Sequence, residues 1–431
     1  MTHSFETTST TVKPTVSLAE ASHVSIGARL LKKLLSGMRH GSLTVVLPGG
    51  RSLRYDGPEP GVEAKIVLFR WRAVRRLITD GDIGFAEAWI DGDWTSPDLT
   101  SVVRLAARNS DDLAQTISGW PVTRLINRLR HHSKANTKRG SQRNIEAHYD
   151  LGNEFYSKWL DPSFIYSSAI WTDETTDLEA AQSLKLVRIK QLLAIEPDNS
   201  VLEIGCGWGA LAAQLAGADG GKVTGLTLSP SQLEWAEAMI SSRGLSDRVE
   251  LRLQDYRDVQ GTFDRIVSIE MLEAVGEAYW PSYFATLRQC LKRDGRAVLQ
   301  VITISEERFE NYRAETDFIQ KHVFPGGFLP SKTLLRAEIE KAGLRLISAE
   351  YFGHSYARTL AVWRSRFLAH WPEIEVLGFD EEFRRLWDYY LSYCEAGFLE
   401  NAIDVGLYVI EHKPQNGSPA APDRDCIGGR K

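Results

Sequence analysis

The stretch that most constrains this chain is Val201-Leu202-Glu203-Ile204-Gly205-Cys206-Gly207-Trp208-Gly209-Ala210, an apolar run with one acid, three alternate glycines and then helix-forming residues. It predicts a β-strand that enters a glycine turn and a helix, the tip of a βα unit in a parallel sheet. Gly205, Gly207 and Gly209 remove the side chains that would keep the backbone from a ligand, and a helix opening near Trp208 presents free N–H groups to it. Short glycine patterns also occur in ordinary strand-to-helix turns, so the surroundings decide the reading. Strand-like Lys222 to Thr227 follows at βαβ spacing, but Val223 to Ser229 offers no Asp or Glu for a ribose. That counts against a dinucleotide.

An acid inside the first strand, Glu203, with Gly-x-Gly-x-Gly behind it resembles the S-adenosylmethionine (SAM) methyltransferases of the Rossmann-like class. The expected fold is therefore α/β, a class I methyltransferase domain. With 431 residues the chain has room for a second, smaller domain, and 43% hydrophobic with 25% charged residues reads as globular. The expected division is a disordered N-terminus over 1–22, an α+β domain over 23–118, a basic linker over 119–143, the methyltransferase domain over 144–413 and a disordered tail over 414–431. No export signal and no apolar run of bilayer-spanning length is visible, so a cytoplasmic enzyme is expected. Cys206, Cys290, Cys394 and Cys426 show no C-x-x-C spacing, and the ten histidines show no H-E-x-x-H; no metal is expected.

In the N-terminal part, Gly41 to Tyr55 alternates apolar and polar positions around Pro48-Gly49-Gly50, which predicts a β-hairpin. Ala73 to Ile83 has helical spacing and a further helix is expected near Leu99 to Asn109. The segment shows no catalytic constellation, and packing, dimerisation and lipid presentation all remain open for it. Between Asp112 and Glu146 there is no acid, while Arg124, Arg128, Arg130, His131, His132, Lys134, Lys138, Arg139 and Arg143 accumulate. A solvated linker is the ordinary meaning of such a run. The alternative is a patch for anionic lipid headgroups, with Val122 to Leu129 lying on the membrane as an amphipathic helix. No nucleic-acid recognition motif accompanies the charge.

From Asn144 the chain carries a series of motifs in order: Asn144 to Tyr156, Tyr166-Ser167-Ser168-Ala169-Ile170-Trp171, the glycine cradle, Gly225 to Ser229 with Gln232, Glu270-Met271-Leu272-Glu273-Ala274-Val275-Gly276, Phe324 to Pro330, and Tyr356 to Leu360. Over about residues 144 to 412 the chain thereby resembles the cyclopropane fatty acid synthase family. The resemblance implies transfer of a methylene from SAM to the cis double bond of an acyl chain in a membrane phospholipid. It also implies peripheral attachment to the inner membrane face and is compatible with a homodimer. Two alternatives stand beside it: a relative that stops at a methyl-branched or methylene lipid or methylates an amine, and a lipid-binding protein without activity.

The resemblance maps the SAM contacts to Tyr166, Ser167, the cradle at Glu203, Gly205 and Gly207, Thr227, and Gln232, with Asp255 and Tyr256 flanking the adenine. It implies a bound bicarbonate as base, held by Glu273, Tyr356, the Ile302 backbone, Gln300 where the family has His, and Ser168 where it has Cys. Gln300 keeps an amide donor and acceptor but cannot titrate, and Ser168 keeps the backbone N–H. Each residue also has a plain structural reading, such as core packing for Tyr166 or a helix N-terminal charge for Glu273. Tyr279, Trp280, Phe284, Phe318, Phe324, Phe328, Phe352, Trp363 and Phe367 crowd the later segments. Most such residues are core, but an acyl chain needs an apolar groove, so some are expected to line it.

Overall fold

The computed structural model of the chain describes residues 26–110, 112–113, 151–217 and 220–414. They fall into two compact units, one with residues 26–113 and one with residues 151–414 of those described. The first 25 residues, the basic stretch 119–143, the Asn144–Asp150 part of the first motif and the residues from Gln415 on lie outside the described residues.

In the first unit, α1 (Ile26–Leu35) precedes β1 (His40–Val46) and β2 (Ser52–Asp56), which pair antiparallel as the expected hairpin. Gly49 and Gly50 turn the chain at φ values of 102° and 86°, a region that L side chains avoid. β3 (Glu59–Leu68) lies parallel to β1, and β4 (Trp94–Thr95) closes the sheet in the order β2-β1-β3-β4. α2 (Arg72–Ile90) runs past its expected end at Ile83. Gly81 leaves helical geometry there (φ 63°, ψ −141°), so the helix kinks and resumes, burying Ala86, Ala88 and Trp89. α3 (Leu99–Arg108) starts where the Asp98 carboxylate accepts the Ser101 N–H, an ordinary N-cap. Buried Asn109 accepts the Arg39 and His40 N–H groups and donates to the Leu105 carbonyl, tying α3 to β1.

The second unit is built on a seven-stranded sheet in the order β10-β11-β9-β8-β5-β6-β7. Its strands are β5 (Ser200–Ile204), β6 (Lys222–Thr227), β7 (Val249–Leu253), β8 (Phe263–Ile269), β9 (Leu291–Ile304), β10 (Leu344–Tyr351) and β11 (Ile403–His412). The β7-β6-β5-β8-β9 part is parallel, and β11 runs antiparallel to both β9 and β10. The fold is the α/β, Rossmann-like class expected. Neighbouring residues of each central strand enter opposite cores. Val201, Val267 and Val298 pack on one face with Ile189, Leu193 and Leu211, while Leu202, Ile266 and Leu299 pack on the other with Trp280, Phe284 and Leu287. A strand covered on both faces favours apolar residues at successive positions, which is why β5, apart from Glu203, reads as an apolar run rather than an alternation. Each such side chain contributes about 1.5–3 kcal/mol of burial.

The chain leaves β5 for β6 and β7 on one side, then returns to β8 on the other. The turns after β5 and β8 therefore diverge and leave a crevice between them, the place where ligands enter open α/β sheets.

Candidate active site

At the end of β5, Gly205, Gly207 and Gly209 take φ values of 84°, 52° and 84°. The N–H groups of Gly205 and Cys206 both donate to the Leu226 carbonyl, at 3.0 and 2.8 Å, which pins the turn to β6. A Cβ on Gly207 would meet no atom within 4 Å, so this turn faces open space. The following helix, α4 (Ala210–Leu215), starts slightly later than expected. The turn floors a cleft lined among others by Tyr166, Ser167, Lys185, Glu203, Gly205, Gly207, Gln232 and Glu270.

The cofactor residues expected from the sequence divide between the cleft and its support. Glu203 is buried on β5, and its Oε2 has no hydrogen-bond partner. Burial, opposed by the Ala212 N–H and by Lys185, pushes its carboxyl up to about 8. The Tyr166 hydroxyl meets the Tyr390 hydroxyl at 2.9 Å, and Ser167 Oγ accepts from Lys185 Nζ at 2.6 Å. Gln232 caps into the start of α5 (Pro230–Ser242), its N–H on Ser229 Oγ, and the Thr227 hydroxyl donates to its Oε1 at 3.0 Å. Thr227 thus positions Gln232 rather than lining the cleft. A turn without side chains beside an unpartnered buried carboxylate oxygen fits SAM, which brings both a nucleoside and cationic groups.

Asp255 and Tyr256, expected to flank the adenine, stand just after β7. Both Asp255 carboxylate oxygens engage the Arg257 guanidinium, and the Tyr256 ring packs in the core 5.5 Å from that of Tyr283. Neither lines the cleft. An acid after the third parallel strand is consumed locally by the arginine two residues on.

The acid cluster differs from the expected one. The sequence reading places Tyr356 and Glu273 around a shared bicarbonate, and in the structure the Tyr356 hydroxyl donates to Glu270 Oε2 at 2.7 Å. Gln300 Nε2 and the Ser168 N–H donate to Glu270 Oε1, at 2.7 and 2.9 Å. Glu273, on the short helix α6 (Leu272–Val275), accepts the Ile302 N–H at 2.6 Å, and among the described residues its Oε2 meets no hydrogen-bond partner. Gln300 and Ile302 alternate along β9 and so share a face, which brings the amide to one acid and the backbone to the other. Tyr356 lies early in α7 (Gly353–Ala369) and is braced by stacking on Phe398 at 4.5 Å. Burial pushes Glu270 up, while Ser168, Tyr356, Lys185 and Gln300 pull it down. Burial and the neighbouring Glu270 push Glu273 up to about 8.

Two residues of the cleft were not singled out from the sequence. Glu270 stands in the quoted motif, three residues before Glu273, and that spacing was its only signal. Lys185 is fully buried and burial lowers its pKa to about 8, against the opposing pull of Glu270, Asp161 and Glu203. Of the aromatic residues expected to line an acyl groove, Trp280, Phe284, Phe318, Trp363 and Phe367 are core side chains, and none of the nine lines this cleft. Trp363 packs edge-on to Trp159 and Phe367 edge-on to Phe155. Among the described residues no helix is long and apolar enough to cross a membrane.

The profile of the mycolic acid cyclopropane synthetase family matches residues 136–407. The chain is 36% identical over 400 residues to the tuberculostearic acid methyltransferase UfaA1 of Mycobacterium tuberculosis, covering 90% of this chain and 92% of that one. It is 34% identical over 355 residues to the cyclopropane-fatty-acyl-phospholipid synthase of Escherichia coli, covering 80% and 86%. The crystal structure of mycolic acid cyclopropane synthase CmaA1 with SAH and CTAB superposes at a TM-score of 0.59 and 28% identity, over 62% of this chain and 97% of that one. The cradle, the two half-buried acids and these matches together make the chain a SAM-dependent methyltransferase, a member of the mycolic acid cyclopropane synthetase family.

Proposed function

We propose that the enzyme methylenates the cis double bond of unsaturated acyl chains in membrane phospholipids, forming cyclopropane fatty acids. The observation that carries the reading is a half-buried carboxylate, Glu270, facing the same cleft as the glycine cradle. Bound SAM would supply an electrophilic methyl on a sulfonium, and an alkene is a weak nucleophile for it. The chain must therefore hold the two in line, and such positioning is worth roughly 7–11 kcal/mol of barrier. Glu203, the Gly205 and Gly207 turn, Tyr166 and Ser167 would hold the cofactor, and Gln232 its ribose. Methyl transfer leaves a cation on the chain, so a base must take a proton and water must be kept out. Bicarbonate, which the resemblance implies in that part, would compete with Glu270 for Tyr356, Gln300 and the Ser168 N–H.

The basic stretch Arg124 to Arg143 would bring the enzyme to anionic lipid at the cytoplasmic face, and a homodimer is compatible with the N-terminal unit. A second reading is favoured by the long match to a tuberculostearic acid methyltransferase: transfer that ends in a methyl-branched or methylene lipid. One experiment addresses both. Lipids from a bacterium expressing the chain are compared by mass spectrometry before and after mild hydrogenation. Acyl chains heavier by one CH₂ that resist hydrogenation mark the cyclopropane, and chains that take up hydrogen mark the methylene product. Acyl masses unchanged by expression of folded, SAM-binding protein would refute both.

A further inference from the structure

We propose that the Glu270 carboxylate is the base of this enzyme, built into the site in the part that cyclopropane fatty acid synthases give to bound bicarbonate. The inference rests on the proposed alkylation of an acyl double bond. Five groups were expected around the anion, and the structure spends them differently. The Ser168 N–H, the Gln300 amide and the Tyr356 hydroxyl all end on Glu270, and the Ile302 N–H ends on Glu273. A carboxylate has the same planar, two-oxygen head as bicarbonate and accepts the same donors. A free anion added here would be a third acidic group beside two half-buried ones, opposed by desolvation and like charge.

The backbone gives a separate sign. Glu270 sits at φ 49°, in the left-handed region, which costs a residue with a Cβ roughly 1–2 kcal/mol. Its N–H is held by the Gln300 carbonyl at 2.8 Å, so the sheet fixes it there. A half-buried acid in strained backbone persists where the surroundings hold it, and such residues concentrate at active sites. Glycine would fit this position without strain, so a side chain present there at a cost needs a use. Glu270 also lines the cleft with Gly205 and Gly207, whereas Glu273 does not.

In the reaction, the π electrons of the double bond form a bond to the methyl carbon while the methyl–sulfur bond breaks toward sulfur, leaving the thioether product and a cation on the adjacent chain carbon. Glu270 then takes a proton from the new methyl, and the electrons of that C–H bond close the ring onto the cation. The proton remains on Glu270 until it passes to solvent after product release. Tyr356 and Gln300 hold the carboxylate in place throughout.

The test compares wild type, Glu270→Gln and Glu270→Gly, the last of which relieves the left-handed strain and so folds. Wild-type turnover in CO₂-free buffer is expected to be unchanged on adding bicarbonate, and Glu270→Gln is expected to lose about 100-fold or more. Glu270→Gly should regain turnover with added bicarbonate. Carbon-13 bicarbonate should give a bound signal by NMR with Glu270→Gly and none with wild type. This binding arm decides the matter even if no acyl chain is turned over, an outcome that would refute the substrate and leave Glu270 standing. Loss of wild-type turnover on bicarbonate depletion, bound bicarbonate in wild type, or full activity of Glu270→Gln would overturn the proposal.

Discussion

Titrating SAM into the protein at pH 6.5 should release close to one proton per molecule bound. Glu203 is buried and its carboxyl is pushed up to about 8, so at this pH more than about nine-tenths of the molecules carry a proton there. A cationic ligand beside the unpartnered Oε2 favours the carboxylate. If it draws the group down to about 5, the coupling amounts to roughly 4 kcal/mol and SAM affinity rises close to tenfold per pH unit through the interval. Lys185, at about 8, stays charged at pH 6.5 and adds little to the count. Calorimetry in two buffers of different ionisation enthalpy reads the proton number directly from the difference in observed heat. Glu203→Gln should bring it near zero. Equal heats in both buffers, or a proton number that survives Glu203→Gln, would show that this acid is not the group that meets the cofactor.

Tyr356→Phe removes one hydrogen bond to a half-buried carboxylate but keeps the stacking on Phe398, so turnover should fall roughly ten- to a hundredfold, matching about 1.5–3 kcal/mol. SAM affinity by calorimetry should hold, because Tyr356 does not line the cleft; a parallel loss of binding would speak against its role at Glu270. Folding stability should decline as pH rises from 4.5 toward 8. Glu203 and Glu273 have folded pKa values raised above their unfolded ones, so the folded protein keeps protons that the unfolded chain sheds, by up to about 1.4 kcal/mol per pH unit for each group. Urea unfolding across this range should flatten in Glu203→Gln/Glu273→Gln, and an unchanged profile would count against both shifts.

The parts of the structure that were legible in the sequence are those set by local chemistry. β5 and its glycine turn could be read because a strand buried on both faces and a turn at positive φ each demand a particular residue type. The pairing of β5 with β8, which brings their ends together, followed from βαβ order. The helix read over Ala73 to Ile83 from its spacing runs on to Ile90, because the burial of Ala86, Ala88 and Trp89 carries it past the kink at Gly81. The pairing of Asp255 with Arg257 was not legible, because it depends on a 3₁₀ turn after β7 that brings the two side chains together. The exchange between Glu270 and Glu273 was out of reach for a similar reason. Both acids stand in one motif, and only the register of β8 against β9, with Ile269 opposite Gln300, decides which meets the amide.

That register has a consequence for charge. Two half-buried carboxylates three residues apart cannot both ionise cheaply, and each donor stabilises the charged form of the acid it serves. The fold gives three donors to Glu270 and one to Glu273, and it adds the attraction of the Lys185 ammonium to Glu270. Negative charge therefore settles on Glu270, at the cleft, while Glu273 keeps its proton and its single bond to the Ile302 backbone. A neutral Glu273 in turn spares Glu270 a like charge at close range. The amide at Gln300 suits this arrangement better than an imidazole would: it donates at every pH and cannot carry away the proton that the base has taken. The two positions at which the chain departs from the family's anion site in the sequence, Ser168 and Gln300, are thus the two that hold Oε1 of the acid standing in its place.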